Sequence, residues 1–225
     1  ANVTDKKHQF SIINTKKYYF VKISSRSNIK ETIESGKLGD NVFYDINERN
    51  YYFYINISGF GPMYNFTKRP FKKSSINWVE IGEGVTSIGS KTFCDLNIAI
   101  VDIPETVTFI GDNAFASCFR LFKINIPESV SYIGDSSFFD CSSLEQITFP
   151  RKLTYLGSQS FSECSKLRSI TIYEGITNIL PNTFKKCNQL TSINLNHCNK
   201  LISIQDGAFY ECFNLRTVEN HSNQM

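Results

Sequence analysis

Six phenylalanines, Phe93, Phe115, Phe138, Phe161, Phe184 and Phe209, recur in the 225-residue chain at spacings of 22, 23, 23, 23 and 25 residues. Three residues beyond five of them stands a cysteine (Cys118, Cys141, Cys164, Cys187, Cys212), and three beyond that a leucine (Leu121, Leu144, Leu167, Leu190, Leu215). A unit this short cannot bury an apolar face by itself, so its core exists only if each unit stacks on the next. Stacking is therefore the first constraint on the fold.

Within the unit, each leucine is followed by an alternating pair: Ile124/Ile126, Ile147/Phe149, Ile170/Ile172 and Ile193/Leu195. That two-residue period predicts a short strand with one buried face. Pro104, Pro127 and Pro150 come next, and a residue without an N–H ends the ladder and turns the chain. A second apolar pair follows (Val107/Ile110, Val130/Ile133, Leu153/Leu156, Ile176/Ile179), and glycine tends to close it. Gly89, Gly111, Gly134 and Gly157 are read as corners of positive φ. The lengthening before Phe209 falls on "NHCNK", a loop, so the core frame persists.

The expected fold class is an α/β-type solenoid, mostly β: about six 23-residue coils with parallel strands centred on Val79, Val101, Ile124, Ile147, Ile170 and Ile193, and a further start at Val218. The strings "VEIGEGVTSIGSKTF", "VDIPETVTFIGDNAF" and "INIPESVSYIGDSSF" resemble BspA-like leucine-rich repeats, which occur in surface antigens of oral bacteria and parasitic protists. "YINISGFGPMYNF", upstream of Trp78, resembles the segment that precedes such repeats. The resemblance covers roughly residues 39–219. It implies a leucine-rich repeat horseshoe, a cell-surface or secreted location, and non-enzymatic adhesion or recognition of a host protein or glycan without a cofactor.

Residues 1–75 lack the repeat. They carry thirteen Lys/Arg against six Asp/Glu, whereas residues 76–225 carry eleven against fifteen, so two segments of different character are expected. About half of the aromatic residues lie in the first, in "KKYYFVKIS", "NVFYD" and "NYYFYINIS". A terminal coil exposes its apolar face unless covered, and this segment is read as a β-rich cap over Trp78, Val79 and Ile81. Inside it "NIKETIESGK" reads as a short helix, with Asn28 as N-cap, Glu31 in the capping-box position and Gly36 near its end. Alternation in "YFYINI" assigns half of its rings to a core, which argues against nucleic-acid binding by base stacking. Lys68, Arg69, Lys72 and Lys73 are candidate contacts for a polyanion such as a sulfated glycan, beside the plainer reading of a solvated basic loop.

Disulfides, zinc and packing compete for the seven cysteines. Repeated cysteines on stacked coils point in parallel rather than at each other, and a line of thiols is not a tetrahedral ligand set. The reading is a ladder of small buried hydrophobes, with no metal. Cys94 and Cys198 fall outside the ladder and are the candidates for thiol chemistry. Asn2, Asn56, Asn65 and Asn220 head N-glycosylation sequons, although about four would arise by chance in a chain of this composition.

His8, His197 and His221 stand outside the regular coils, and no nucleotide-binding, nucleophile-elbow or metalloprotease motif occurs. Glu80 and Asp102 occupy equivalent positions on neighbouring strands and are read as a solvated acidic patch. No apolar run approaches the roughly 18 to 20 residues of a membrane span. An enzyme is not expected.

A surface remains. The residues that alternate with the buried strand pairs, Lys123, Asn125, Gln146, Thr148, Ser169, Thr171, Ser192 and Asn194, should form straight rows on the concave face and contact a protein or glycan. The alternative is an intracellular or assembly-associated scaffold.

Overall fold

The structure, a computed structural model, describes residues 10–15, 18–23, 32–49, 52–72 and 74–219. It is a β-solenoid of about seven turns, and no helix occurs among the described residues. β1 (Phe10–Thr15) and β2 (Tyr18–Ile23) form an antiparallel hairpin.

Two parallel sheets form the walls. In the first, β5 (Tyr52–Gly59), β7 (Trp78–Ile81), β9 (Ile100–Asp102) and β11 (Lys123–Ile124) stack with Ile55, Val79, Val101 and Ile124 in register. The second stacks β6 (Gly61–Pro62), β8 (Val85–Ile88), β10 (Phe109–Ile110), β12 (Tyr132–Ile133) and β13 (Tyr155–Leu156). Coil geometry is thus already present at β5 and β6. The ring of Phe71 extends the phenylalanine column, stacked 5.8 Å from Phe93.

β3 (Thr32–Lys37) and β4 (Val42–Arg49) extend the first wall antiparallel to β5. The helix expected over "NIKETIESGK" is therefore absent from Thr32 onward, and its first residues lie outside the described ones. From Thr32 onward, long-range pairing with β4 overrides the local helix reading. Gly36 lies opposite Tyr44, whose ring fills the space a Cβ would take, 2.6 Å away. The Tyr44 hydroxyl then donates to Glu34 Oε1 at 2.8 Å. Burial and that bond push the tyrosine up to about 12.

Between the walls run the repeat residues. Phe93, Phe115, Phe138, Phe161 and Phe184 are fully buried. Their ring centroids follow at 5.2, 5.2, 5.0 and 5.9 Å.

The third side of each coil is neither strand nor helix. Two non-glycine residues of positive φ flank each of these anchor rings, as Asn113 (54°) and Ser117 (59°) flank Phe115 and Ser136 (52°) and Asp140 (54°) flank Phe138. This alternation aims every second N–H at the next coil: Ser136 donates to Ser158 O, Phe138 to Ser160 O and Asp140 to Ser162 O, each at 2.8 Å. The return segment thereby pairs its backbone without regular secondary structure.

Positive φ falls on these residues and not on Gly89, Gly111, Gly134 and Gly157, which correct the expectation of glycine corners. Those glycines answer to close approach instead. A Cβ on Gly111 would stand 2.6 Å from Ser90 N, and one on Gly157 2.5 Å from Asp135 N.

Both walls break at one level. The strand expected at Ile147 is reduced to a single bridge, Lys123 to Gln146, and β14 (Ser169–Thr171), β16 (Ser192–Asn194) and β18 (Thr217–Glu219) form a separate sheet. β13 likewise does not pair with β15 (Asn178–Ile179), whose partner is β17 (Ser203–Ile204). On one side of this seam Phe149 replaces the usual isoleucine and sets its ring edge-on against Phe161 and Phe184, at 5.3 and 6.4 Å. On the other, Leu180 holds the glycine position. Both substitutions add bulk where coils must close. The widest ring spacing, Phe161 to Phe184, lies at the same level.

Candidate functional site

The outward residues of the first wall form two rows. Tyr54, Trp78, Ile100, Lys123 and Gln146 run up one, continued beyond the seam by Ser169, Ser192 and Thr217. Asn56, Glu80 and Asp102 begin the other, and Thr171, Asn194 and Glu219 close it. Asn125 and Thr148 fall between these groups at equivalent positions, and both are exposed. The eight sequence-derived residues all reach the surface: Lys123, Asn125, Gln146, Thr148 and Ser169 are exposed, and Thr171, Ser192 and Asn194 are half-buried. A strand whose other face carries Ile124, Ile147, Ile170 or Ile193 has no alternative, because one slip of register would exchange the faces.

The row has an aromatic end that is not evident from the repeat. Tyr54 stacks on Trp78 with ring centroids 4.7 Å apart and planes within 2°. Beside this pair Glu80 and Asp102 are adjacent across β7 and β9. The face therefore runs from aromatic and acidic to small and neutral.

At the wall's edge, the two residues inserted before Cys198 open a pocket of about 300 Å³ bounded by Arg151, Tyr173, Glu174 and His197. Tyr173 lies between the Arg151 guanidinium, 5.4 Å from its centroid, and the His197 ring at 5.6 Å. His8 and His221 lie outside the described residues.

The cysteines form a hydrogen-bonded ladder. Sγ of Cys118, Cys141, Cys164 and Cys187 donates to the carbonyls of Phe93, Phe115, Phe138 and Phe161, each at 3.2 Å. All seven cysteines are free. Cys198 is not a loop thiol: it is buried, takes the position held elsewhere by proline, and donates to Ile172 O at 2.9 Å. Burial pushes it up to about 11. Cys94 is also buried and shifted upward by burial, so neither thiol is activated as a nucleophile. No group of three or more metal-ligating side chains converges among the described residues, and no helix there is long and apolar enough to cross a membrane.

Lys68, Arg69 and Lys72 lie on the segment between β6 and β7, against a cleft of about 670 Å³ on the return side of the solenoid, and Lys91 joins them from the next coil, beyond β8. Lys73 lies outside the described residues, as do Asn2 and Asn220. Of the other sequon asparagines, Asn56 is half-buried on β5 and Asn65 is exposed, its Oδ1 accepting from Ser90 N at 2.9 Å.

Parallel coils closed by a Phe-Cys-Leu return and a two-row strand face define a leucine-rich repeat protein. A model of the BspA type leucine-rich repeat region matches residues 64–191 and 109–224. The chain belongs to that family. Among solved structures it is similar to a leucine-rich repeat protein of T. pallidum, with 22% identity and a TM-score of 0.61 over 72% of this chain and 83% of that one. It is similar also to a leucine-rich repeat protein of Bacteroides ovatus ATCC 8483, with 23% identity and a TM-score of 0.60; the match covers 81% of this chain and 53% of that one. These likenesses concern the fold alone. None of the curated proteins compared matches the sequence.

Proposed function

We propose that the protein is a non-enzymatic recognition module of the cell surface or secreted fraction, and that it binds a protein or glycan through the strand face between Lys123 and Asn194. Leucine-rich repeat families serve protein interaction, which is the general part of this reading. The observation that carries the particular part is the row register. Ser169, Ser192 and Thr217 stand opposite one another on hydrogen-bonded strands, as do Thr171, Asn194 and Glu219. Their backbone order is settled during folding, so a partner meets aligned donors and acceptors without an ordering penalty for the strands. Small neutral hydroxyls and amides also desolvate more cheaply than charges.

A scaffold inside a reducing compartment is the second reading, favoured by the seven free thiols. The test is the double variant Thr148→Arg with Thr171→Glu, probed beside the wild type on arrays of matrix proteins and of glycans. Both positions reach solvent, so thermal unfolding should hardly move. Loss of the wild-type signal supports the strand face; an unchanged binding profile refutes it.

A further inference from the structure

The return side of the solenoid carries a second candidate site, independent of the strand face. Four cations, Lys68, Arg69, Lys72 and Lys91, line the 670 Å³ cleft there, against one carboxylate, Asp95. None of the four belongs to the ion pairs that the described residues make, Arg168–Glu145 and Lys186–Glu163.

The two half-buried cations are held by neutral groups. Arg69 Nη1 donates to Asp95 O at 2.8 Å and Nε to Phe71 O at 3.2 Å. Lys91 Nζ donates to Thr67 O at 3.3 Å. Carbonyls fix these side chains without neutralising them. A guanidinium has five donor hydrogens and an ammonium three, so bonds to the described residues leave three on Arg69 and two on Lys91. Glu34, the nearby carboxylate behind the loop, is engaged by the Tyr44 hydroxyl and by the Lys72 backbone N–H, at 2.8 and 3.2 Å. Oriented, half-buried cations whose hydrogen bonds are only partly filled are what an anion site requires.

Size and lining narrow the ligand. The cleft is much larger than an inorganic anion and lies within the roughly 300–1,000 Å³ of organic ligand sites. Asn113 and Ser117 add neutral polar groups suited to hydroxyls. Of the two lining rings Phe71 is buried and stacked on Phe93, and Phe139 is half-buried, so the cleft lacks the succession of exposed rings on which nucleobases stack. We propose that this cleft binds a sulfated oligosaccharide, with Arg69 and Lys91 as inner contacts and Lys68 and Lys72 at the rim.

The test is calorimetric titration of the full chain with a heparin-derived octasaccharide. Lys68→Ala/Lys72→Ala/Lys91→Ala is compared with Lys152→Ala/Lys166→Ala/Lys200→Ala, which removes the same charge from exposed lysines elsewhere. The cleft variant should lose about tenfold or more in affinity and flatten the salt dependence, while the control changes less than about twofold. Lys91→Gln alone should weaken binding, since Lys91 lies outside the basic loop. Equal loss in both triple variants, no binding by the wild type, or tighter binding of an oligothymidylate of matched charge would each overturn the proposal. Binding lost in the cleft variant with the strand-face profile intact separates this site from the one above.

Discussion

Cys141 donates its thiol to the carbonyl of Phe115, 3.2 Å away and one coil back, and the same bond recurs at Cys118, Cys164 and Cys187. The sulfur is thereby both a filler of the core and a tie between successive coils. In the native protein these four thiols should resist an aromatic disulfide reagent, whereas Cys212, half-buried in a later coil, should react first. After denaturation seven thiols should titrate with or without prior reduction. Rapid labelling of Cys141 in the folded state would remove it from the core.

One column of the core has polar residues without a reason in hydrogen bonding. Ser137 and Ser160 are buried with no partner for Oγ among the described residues, while Thr92 and Thr183 in the same column donate to Gly89 O and Leu180 O at 2.8 Å. Ala114 and Ala208 fill equivalent positions. Ser137→Ala and Ser160→Ala should therefore stabilise the fold, each by about 1 kcal/mol, because an unsatisfied buried hydroxyl is removed at nearly constant volume. Chemical denaturation of the double variant should show a higher midpoint at unchanged m-value. A lower midpoint would mean that the hydroxyls have partners.

The return segment makes opposite predictions for two neighbours. Gly134 has ordinary φ but no room, since a Cβ would stand 2.7 Å from Asp112 N; Ser136 has φ of 52° and is half-buried. Gly134→Ala should destabilise by about 2 kcal/mol or more through overpacking. Ser136→Gly should be neutral or stabilising by up to about 1 kcal/mol, since relief of left-handed strain opposes the added freedom of the unfolded chain. Equal unfolding temperatures for the two variants would contradict this division of roles.

Much of the architecture is legible in the sequence, because Phe, Cys and Leu return in step and a period cannot be sustained by chance over five intervals. Strand register follows from alternation alone, which is why Ile124, Ile170 and Ile193 face inward as expected. Local signals that compete with tertiary pairing are misleading: the helix read over "NIKETIESGK" yields, from Thr32 onward, to the pairing of β3 with β4. Glycine spacing is visible but its cause is not, since close approach and positive φ leave the same residue. The seam at Phe149 and Leu180 shows in sequence only as two departures from the repeat. Lys91 lies some twenty residues from the basic loop it joins, and only the stacking of one coil on the next brings them together.

The thiol ladder also governs behaviour in alkali. Burial raises Cys118, Cys141 and Cys164 well above the ordinary thiol value. An unfolded chain releases these protons above about pH 8.5 while the folded chain keeps them. The unfolded state then binds fewer protons, so the sign is fixed: stability falls as pH rises from about 8.5 toward 10. Each such thiol adds about 1.4 kcal/mol per pH unit to the slope once the unfolded group is fully ionised. Cys141→Ala should cost about 1 to 2 kcal/mol near neutrality through lost packing. Its stability should then decline less steeply than that of the wild type, by about one thiol's share per pH unit. Denaturation midpoints from pH 8 to 10 read both quantities, and parallel curves for the two proteins would show that Cys141 titrates alike in the folded and unfolded chain.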